Sequence, residues 1–582
     1  MPKFAGPRSI ALLLAAAATA SANAQTTPPR WHTAPPAPET PDPGSTNTFR
    51  VVALPDTQNY SEFYPEIFRS QTSWVLQNRE NLNIRFMSTL GDVVNHGDRL
   101  NEWANSRTAL DPVLAADLPH SITVGNHDVT PAGQPGSTYN PSNYLANYGP
   151  QRFAGRSWYK GASPSGMSNY QTFRAGGREF LQLSLSIETP YEELVWAQGV
   201  LNANRDKPVF LSTHRYLQDA EDYTAGVPLV PSGRYPSVWY GVEGNYNPSG
   251  IQSEEFFQNF VRMQKNLFMV QCGHFHEEFR QSSTAINGNV IHEVLADYQD
   301  DPNGGDGFLR VMEFNMAANR IDVQSYSTTR NEYRTADESQ FSLNVQWDRY
   351  STGAGRKAAV FTQGVGGYAG TRDTWISEAN GNTSYGGSDR IVVDDDVNNN
   401  IFTDRRGQGL LRFDEILTAN NEVGKVPMGS VIESAELRFH VPDDIDTPFY
   451  NPVFYVYMLN VPWTEASTWN SLGGGLSGGE LGTLLGSFLG DNVPDGETLR
   501  LINVTAALQA WANGAPNYGF AILPQIISGN DDGIELWSSS AGNVLLRPTL
   551  DVVYRTGLIP APGVLAAFAG AGMIAARRRR SC

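Results

Sequence analysis

The sequence predicts an α/β fold for the first half of the chain and an all-β sandwich for the second half. Its 582 residues allow about two to four domains. Between about residues 48 and 335, short β-branched runs alternate with helical patterns, which is typical of a layered α/β domain. From about residue 360, short strands separated by Gly, Asn, Asp and Pro replace the helices, which indicates a β-sandwich.

The strands and helices of the first region follow one another in an alternating order. Strands are predicted at 49–55, 84–90, 120–124, 178–185, 208–214 and 266–274, and helices at 65–80, about 102–115, 192–204 and 253–264. In such folds the strands end in loops at one edge of the sheet, and ligands bind at that edge.

Composition restricts the partners of the chain. Its 42 Lys and Arg against 60 Asp and Glu give a net charge of −18, so no nucleic-acid partner is expected. The two cysteines, Cys272 and Cys582, allow neither a disulfide framework nor a cysteine-based zinc site. Cys272 precedes a glycine at the end of an apolar strand, which favours a buried apolar role.

The two ends of the chain read as targeting segments. Residues 1–24 have a basic start, an apolar run and an Ala-Asn-Ala ending, which predicts a signal peptide and a secreted protein. Residues 25–47 are rich in Pro and Thr and predict a linker. Residues 558–582 combine an apolar run of 19 residues with four arginines and resemble a PEP-CTERM sorting tail, although Pro560-Ala561-Pro562 lacks the usual central Glu. The resemblance implies an exosortase or membrane partner and a cell-surface or outer-envelope location.

Polar side chains cluster where the strands of the first region end. The five groups are Asp56-Thr57-Gln58, Gly91-Asp92, Gly125-Asn126-His127-Asp128, His214 and Gly273-His274-Phe275-His276. Carboxylate, amide and imidazole donors without a thiolate suit Mn, Fe or Zn. There are too many donors for one four-coordinate ion, so the simplest arrangement is two ions that share a bridging carboxylate.

The order of these motifs resembles the calcineurin-like metallophosphoesterase family over residues 48–335. The resemblance implies a four-layer β-sandwich flanked by helices and a dinuclear metal centre. It assigns Asp56, Gln58 and His276 to one metal, Asn126, His214 and His274 to the other, and Asp92 to the bridge. It also implies that His127 lies near the scissile phosphate and that Asp128 orients it. Gln58 departs from the family, which commonly has His at this position.

The implied activity is hydrolysis of phosphate mono- or diesters by a metal-activated water. A non-catalytic adhesion or matrix protein with a structural metal centre is the main alternative, and a nuclease with the same centre is a third. Two Tyr-rich and Trp-rich stretches, 129–179 and 217–250, are expected to be loops that contact a sugar or a base, or that simply pack over the sheet.

The second region, residues 360–555, resembles a DNRLRE-type, jelly-roll-like β-sandwich. The matching pieces include Gly366-Gly367-Tyr368, Asp373-Thr374-Trp375 and Arg547-Pro548-Thr549. Some relatives bind polysaccharide, so a polysaccharide-binding module and a simple spacer are both open. Residues 467–497 are Gly-rich and predict a loop. Asp394-Asp395-Asp396 could bind Ca²⁺ or form a solvated acidic loop.

Overall fold

A computed structural model gives the architecture of both predicted regions. The described residues are 47–131, 133, 138–219, 232–234, 246–353, 355–395, 406–420, 422–442, 452–490, 498–526 and 533–556. The predicted signal peptide, the linker up to residue 46, the tail 558–582, Asp396 and most of the stretch 217–250 lie outside these residues. None of the helices among the described residues has the length and apolar character needed to cross a bilayer.

The first region is a mixed α/β structure. Its strands in the described residues are β1 Thr48–Leu54, β2 Ile84–Thr89, β3 His120–Ser121, β4 Tyr159–Ala162, β5 Asn169–Ala175, β6 Arg178–Ser184, β7 Val209–Arg215, β8 Leu217–Gln218, β9 Gly233–Arg234, β10 Leu267–Gly273, β11 Glu277–Thr284, β12 Val290–Asp297, β13 Phe308–Asn315, β14 Arg320–Ser327, β15 Glu332–Tyr333 and β16 Gln340–Asn344. Its helices are α1 Gln58–Glu62, α2 Pro65–Gln77, α3 Leu100–Ala115, α4 Asn126–Val129, α5 Ser142–Tyr148, α6 Tyr191–Ala203, α7 Ser253–Asn259 and the single turn α8 Pro302–Gly305.

These strands form two large sheets. One has the order β15-β14-β13-β1-β2-β3, with β16 paired to β14, and the other has the order β11-β12-β10-β7-β6-β5-β4. Strands β1, β2 and β3 run parallel to one another, as do β6, β7, β10 and β12. Since parallel strands end at the same edge, each sheet carries several strand ends on one side.

Alternate residues of β1 point to different layers. Phe49 packs in an aromatic core with Phe180 of the other sheet, with ring centroids 5.2 Å apart. Val52 instead packs with Phe68 of α2 and Trp103 of α3. Helices α6 and α7 pack against the second sheet in a separate cluster. This period-2 alternation buries both faces of the strand and fixes its register.

The second region is almost entirely β-structure. Its described elements are β17 Lys357–Thr362, β18 Thr371–Ser377, β19 Arg390–Val393, β20 Gly407–Phe413, β21 Leu417–Thr418, β22 Val426–Pro427, β23 Val431–Val441, β24 Val453–Leu459, β25 Leu481–Leu489, β26 Thr498–Asn503, α9 Thr505–Ala512, β27 Phe520–Pro524, β28 Ile534–Trp537 and β29 Thr549–Arg555. Two antiparallel sheets, β17-β29-β23-β26 and β18-β20-β27-β24-β25, contribute buried residues to one core.

Three parts of the chain differ from expectation. The stretch 467–497 contains β25, which pairs with β24. Hydrogen bonds to this antiparallel neighbour satisfy backbone N–H and C=O groups of the Gly-rich stretch. The stretch 129–179 contains α5, β4, all of β5 and the first two residues of β6. Helix α9 stands in the β-region because Leu508 and Trp511 are buried in its core. Cys272 is buried in β10, as the sequence predicted.

Candidate metal centre

Strand ends from both sheets bring the predicted donors to one place. Asp56 lies two residues after β1, Asp92 lies three residues after β2, and Asn126 begins α4. His214 is the penultimate residue of β7, and His274 directly follows β10. The edge position explains why donors that are up to 218 residues apart in sequence are close in space.

Four of these residues form a tight inner group. The His214 Nε2 atom lies 3.0 Å from Asn126 Oδ1 and 3.2 Å from Asp92 Oδ2. The His274 Nδ1 atom lies 3.0 Å from Asn126 Oδ1 and 3.2 Å from His214 Nε2. Asp92, His214 and His274 together could hold a metal ion. The structure therefore brings together the bridging residue and all three donors assigned to one metal.

The hydrogen bonds around the inner group orient its atoms toward a cation. His214 Nδ1 lies 2.9 Å from the Leu90 carbonyl oxygen, to which it donates, so a neutral ring keeps its lone pair on Nε2. Asn126 Nδ2 donates to the Gly133 carbonyl at 3.0 Å, which turns Oδ1 inward. A ring nitrogen, an amide oxygen and a carboxylate thus face one another, and a cation satisfies all three.

Burial and charge act in opposite directions on the two histidines. Burial lowers the pKa of His214, but the Asp92 carboxylate more than offsets it, so this pKa is raised. Burial, together with the neighbouring His214, holds the pKa of His274 well below its ordinary value. His274 is therefore a neutral ring, which is the protonation state that a metal requires of an imidazole ligand.

A second, outer group surrounds Asp56. Asp56 accepts the backbone N–H of His274 at 3.2 Å, and its Oδ1 lies 3.4 Å from His214 Nδ1. Burial and the carboxylates of Asp297 and Asp92 raise the pKa of Asp56 well above its ordinary value. Gln58 Oε1 and Asp297 Oδ2 are buried and have no hydrogen-bond partner among the described residues. Acceptors in this condition are expected where a cation belongs.

His276 has partners other than Asp56 in this structure. Its Nδ1 lies 2.5 Å from Asp300 Oδ2, and its Nε2 contacts the side-chain amide of Gln299. Its side chain is 37% exposed. The donors assigned by resemblance to the first metal are therefore brought together only in part.

His127 and Asp128 have separate tasks. His127 Nδ1 donates to the Asn95 carbonyl at 2.7 Å, its Nε2 lies 4.0 Å from Asp92 Oδ2, and its backbone N–H donates to Asp92 Oδ1 at 2.9 Å. The Asp128 carboxylate accepts three backbone N–H groups, those of Val93, Val94 and Gly125. The expected partner of the His127 ring is thus replaced by Asn95, and Asp128 fixes the backbone around the site. Burial, with Asp92, raises the pKa of Asp128 to about 8.

Two acidic side chains hold Asn95 in place. Glu102 is fully buried and accepts the backbone N–H of Asn95 at 2.9 Å, while Glu62 accepts from the Asn95 side chain. We call Glu62 and Glu102 the clamp on Asn95. Arg99 Nη1 lies 2.8 Å from Glu62 Oε1 and 3.4 Å from Glu102 Oε1, so the clamp has a cation beside it. His96 donates its backbone N–H to Glu102 at 2.9 Å.

The backbone at the centre is strained. Asp56, Asp92 and His274 have positive φ angles of 20°, 45° and 78°. Such conformations cost about 1–3 kcal/mol each and tend to occur at functional sites. A side chain at Gly91, whose φ is +111°, would place its Cβ 2.3 Å from His214 Nδ1. The glycine before Asp92 therefore permits the close approach of the His214 ring.

The sequence did not point to Asp297, Asn95 or Glu102. Asp297 ends the buried strand β12, which is the same signal that identified Asp56, but it belongs to no recognised motif. Asn95 acts through its carbonyl, which carries no residue-specific signal. In the stretch 129–179, Tyr144 and Trp158 are buried in the core, which agrees with the packing alternative and not with a contact to substrate.

Comparisons with known proteins give distant similarities. No family model matches the chain. The Uncharacterized protein YvnB of Bacillus subtilis (strain 168) is 27% identical over 315 residues, which cover 52% of this chain. The chain spans 22% of the length of that curated relative.

Among solved structures, the purple acid phosphatase PPD1 of yellow lupin has a TM-score of 0.35 and 14% identity, covering 53% of this chain and 56% of its own. A dimetal phosphatase of Danio rerio has a TM-score of 0.30 and 11% identity, covering 52% of this chain and 100% of its own. A predicted phosphoesterase of Streptococcus pneumoniae TIGR4 has a TM-score of 0.22 and 8% identity, covering 51% of this chain and 97% of its own.

Proposed function

We propose that this chain is an exported phosphoesterase that hydrolyses phosphate mono- or diesters at a dinuclear metal centre. The calcineurin-like four-layer arrangement of residues 48–335 is part of this proposal. The observation that carries it is the inner group, in which Asp92, Asn126, His214 and His274 present oxygen and nitrogen atoms to one another at 3.0–3.2 Å. Acceptors held this close together suit a cation, and the donor types suit Mn, Fe or Zn.

The residues present fit a metal pair. The inner group would hold one ion. Asp56, Gln58 and His276 would hold the other, and Asp92 would be shared. Gln58 Oε1 is buried and has no hydrogen-bond partner within the described part of the chain, which favours this assignment. An amide oxygen is a usable metal donor even where the family commonly has His. Asp297 Oδ2, buried and equally unpaired among the described residues, is a further candidate donor.

The chain itself supplies orientation and a proton. When bound, such ions activate water and polarise phosphoryl oxygens. Donation from His127 Nδ1 to the Asn95 carbonyl leaves Nε2 as the ring atom on the side of Asp92. Because Nδ1 uses its proton for the Asn95 carbonyl, Nε2 carries a proton only when the ring is cationic. The cationic ring can pass that proton to the leaving oxygen of a phosphate ester, or can offset the charge that develops on it. His127 is therefore assigned as the general acid.

The second region is proposed as an accessory module for polysaccharide or surface binding. Trp375 and Tyr385 stack with ring centroids 3.8 Å apart, and both rings are partly exposed. A half-buried aromatic pair offers an apolar ring surface, which suits a sugar ring. Export through residues 1–24 and surface attachment through residues 558–582, with an exosortase or the membrane as partner, are proposed from the sequence.

The test combines metal analysis with turnover. The full chain, reconstituted separately with Mn²⁺, Fe²⁺ and Zn²⁺, is assayed with chromogenic phosphate mono- and diesters. Asp92→Asn is expected to lower metal affinity by more than about 100-fold, the upper end for loss of a residue that only supports a ligand, and to abolish turnover. Asp206→Asn, at an aspartate that is 63% exposed and paired with Lys207, is the matched control. Metal binding without turnover of any of these esters would contradict the proposal and favour the non-catalytic alternative.

A further inference from the structure

We propose that a cavity of about 310 Å³ between the two regions binds a small anion of the phosphate class. This inference does not depend on the phosphoesterase proposal. None of the residues that line the cavity belongs to the metal centre.

Both regions contribute to the cavity. Arg205, just after α6, and Lys265, just before β10, come from the first region. Arg349 follows β16, in a segment whose Trp347 and Tyr350 pack in the aromatic core of the first region. Arg356, which precedes β17, and Glu433 of β23 come from the second. The lining thus contains four cationic side chains and one carboxylate, in a chain whose net charge is −18. This local excess of positive charge favours an anionic ligand.

Ion pairs within the lining account for only part of this charge. Lys265 Nζ lies 2.9 Å from Asp551 Oδ2 and 3.0 Å from Glu436 Oε1. Arg205 lies 3.4 Å from the same Asp551 oxygen.

Glu433 pairs with Arg356 at 2.5 Å and also contacts Arg555. The lining and these ion-pair partners together contain five cations and three carboxylates, and the cations are in excess by two. A phosphate dianion matches that excess.

Arg205 supplies an unused donor. Its side chain is only 8% exposed, and its Nε atom is buried without a hydrogen-bond partner among the described residues. A buried, charged donor without an acceptor costs free energy. An anion oxygen in the cavity would satisfy it.

The chemistry of the lining points to phosphate specifically. Guanidinium groups offer planar, paired N–H donors that match two oxygens of a phosphate. Asn287, Ser351 and Thr352 add neutral hydrogen-bonding groups around the cations. A volume of about 310 Å³ is at the lower end for ligand pockets, which favours a small anion over a nucleotide or a polymer. A ligand held from both sides would also stabilise the contact between the two regions.

The test measures anion binding by the full chain after metal has been removed with a chelator and dialysed away. Calorimetric titration at constant ionic strength uses inorganic phosphate, a small phosphate monoester, and chloride as the control anion. Removal of metal separates this site from the metal centre, so the result holds whether or not the chain is a phosphoesterase. Wild-type protein is expected to bind inorganic phosphate with a Kd at or below about 1 mM, a modest affinity.

Two sets of variants test the site. Arg205→Gln is expected to weaken phosphate binding by about 10- to 100-fold, the range for a hydrogen bond to a charged group. Because Arg205 is buried and paired with Asp551, that variant could fail to fold. The double variant Arg349→Gln/Arg356→Gln removes two exposed cations instead and is expected to weaken binding by at least about tenfold. Arg174→Gln, at an arginine that is 84% exposed, is the matched control and should bind as wild type does.

The outcomes separate the sources of the anion. Binding of inorganic phosphate and monoester alike assigns the site to the shared phosphate group, whereas binding of the monoester alone assigns it to a phosphorylated compound. The proposal is overturned if the wild type shows no saturable binding of either. It is also overturned if the arginine variants bind phosphate as tightly as Arg174→Gln does. Loss of phosphate binding in Asp92→Asn would overturn it as well, because it would place the anion at the metal centre.

Discussion

Two aspartates with the same burial, Asp297 at the metal centre and Asp551 between the two regions, titrate in opposite directions. Each is 2% exposed. Burial raises the pKa of Asp297 to about 7. Burial also acts to raise the pKa of Asp551, but Arg205, Lys265 and Arg438 more than offset it and hold that pKa well below its usual range. The difference is that Arg and Lys side chains surround Asp551, whereas the groups that oppose the negative charge of Asp297 are the histidines His276 and His214.

The negative charges of Asp551 and Asp297 are balanced in different ways. Asp551 lies 2.9 Å from Lys265 Nζ and 3.4 Å from an Arg205 nitrogen, so its charge is balanced by the chain itself. Around Asp297 the largest opposing charge is the imidazole of His276, and Asp92 and Asp56 add negative charge. Among the described residues, these carboxylates have only histidines as opposing charges, which favours binding of a cation from solution. The chain itself therefore neutralises Asp551, whereas the carboxylates around Asp297 favour a cation from solution.

The largest expected effect tests whether the metal centre is catalytic. His127→Ala should lower kcat by about 10²- to 10⁴-fold, because the proton at Nε2 is lost. Steady-state kinetics with a chromogenic phosphate ester, alongside metal analysis, measures this effect. Metal content should be unchanged, since His127 is not among the assigned ligands. A kcat within about threefold of wild type would remove His127 from the chemistry.

Breaking the ion pairs of Asp551 should cost the most stability. Asp551→Asn leaves Arg205, Lys265 and Arg438 without their shared carboxylate, and loss of one partner of a buried ion pair costs about 3–5 kcal/mol. Urea denaturation at pH 7 measures the free energy of unfolding, with the exposed Asp206→Asn as the control. A loss below about 1 kcal/mol would mean that the cluster contributes no more than surface pairs do.

A third buried aspartate, Asp373 in the β-region, extends the comparison to pH. Burial raises the pKa of Asp373 to about 6, although Ser539 donates its backbone N–H to the carboxylate at 2.8 Å. A raised pKa in the folded state means that the folded chain holds the proton more tightly. The contribution of Asp373 to stability is therefore greatest below about pH 4 and falls as pH rises to about 6. The fall attributable to this group is up to about 3 kcal/mol.

The Asp373→Asn variant isolates that contribution. The difference in unfolding free energy between wild type and variant, measured from pH 4 to pH 7, should shift in favour of the variant as pH rises. A difference that stays constant over this range contradicts the assignment.

Added metal should stabilise the metal centre and leave the ion pairs of Asp551 unaffected. At 100 times its Kd, a divalent cation should raise the free energy of unfolding by about 2.7 kcal/mol. Thermal melts of the chelated protein with and without Mn²⁺ or Zn²⁺ measure the gain. Asp92→Asn should abolish it, whereas Asp551→Asn should keep it in full, because distant sites contribute additively. A gain that disappears in both variants would couple the two clusters.

The smallest effect concerns the clamp on Asn95. Glu102→Gln keeps the shape of the buried side chain but weakens its hold on the backbone N–H of Asn95, whose carbonyl orients His127. We expect kcat to fall by about tenfold, the lower range for loss of a supporting residue, with little change in KM. Glu80→Gln, at a residue that is 74% exposed, is the control. A rise in KM alone would indicate a general structural role.

Much of the candidate site could be read from the sequence because its donors occur in short motifs at strand ends. Asp92, Asn126, His214 and His274 were all identified in this way, and the structure brings them together. The roles of individual atoms were harder to read. Asp128 was expected to orient His127, but its carboxylate is occupied by backbone N–H groups, and a carbonyl takes that role.

The sequence by itself determined the order of strands and helices, the shift to β-structure near residue 360 and the donor chemistry, because each of these depends on local periodicity or on residue type. Only the tertiary structure decided which buried carboxylates have cations beside them. Asp297 and Asp551 each end or lie in an apolar strand and look alike in sequence. What separates them is the set of distant side chains that packing places within about 4 Å, where a charge in a buried site has its largest effect.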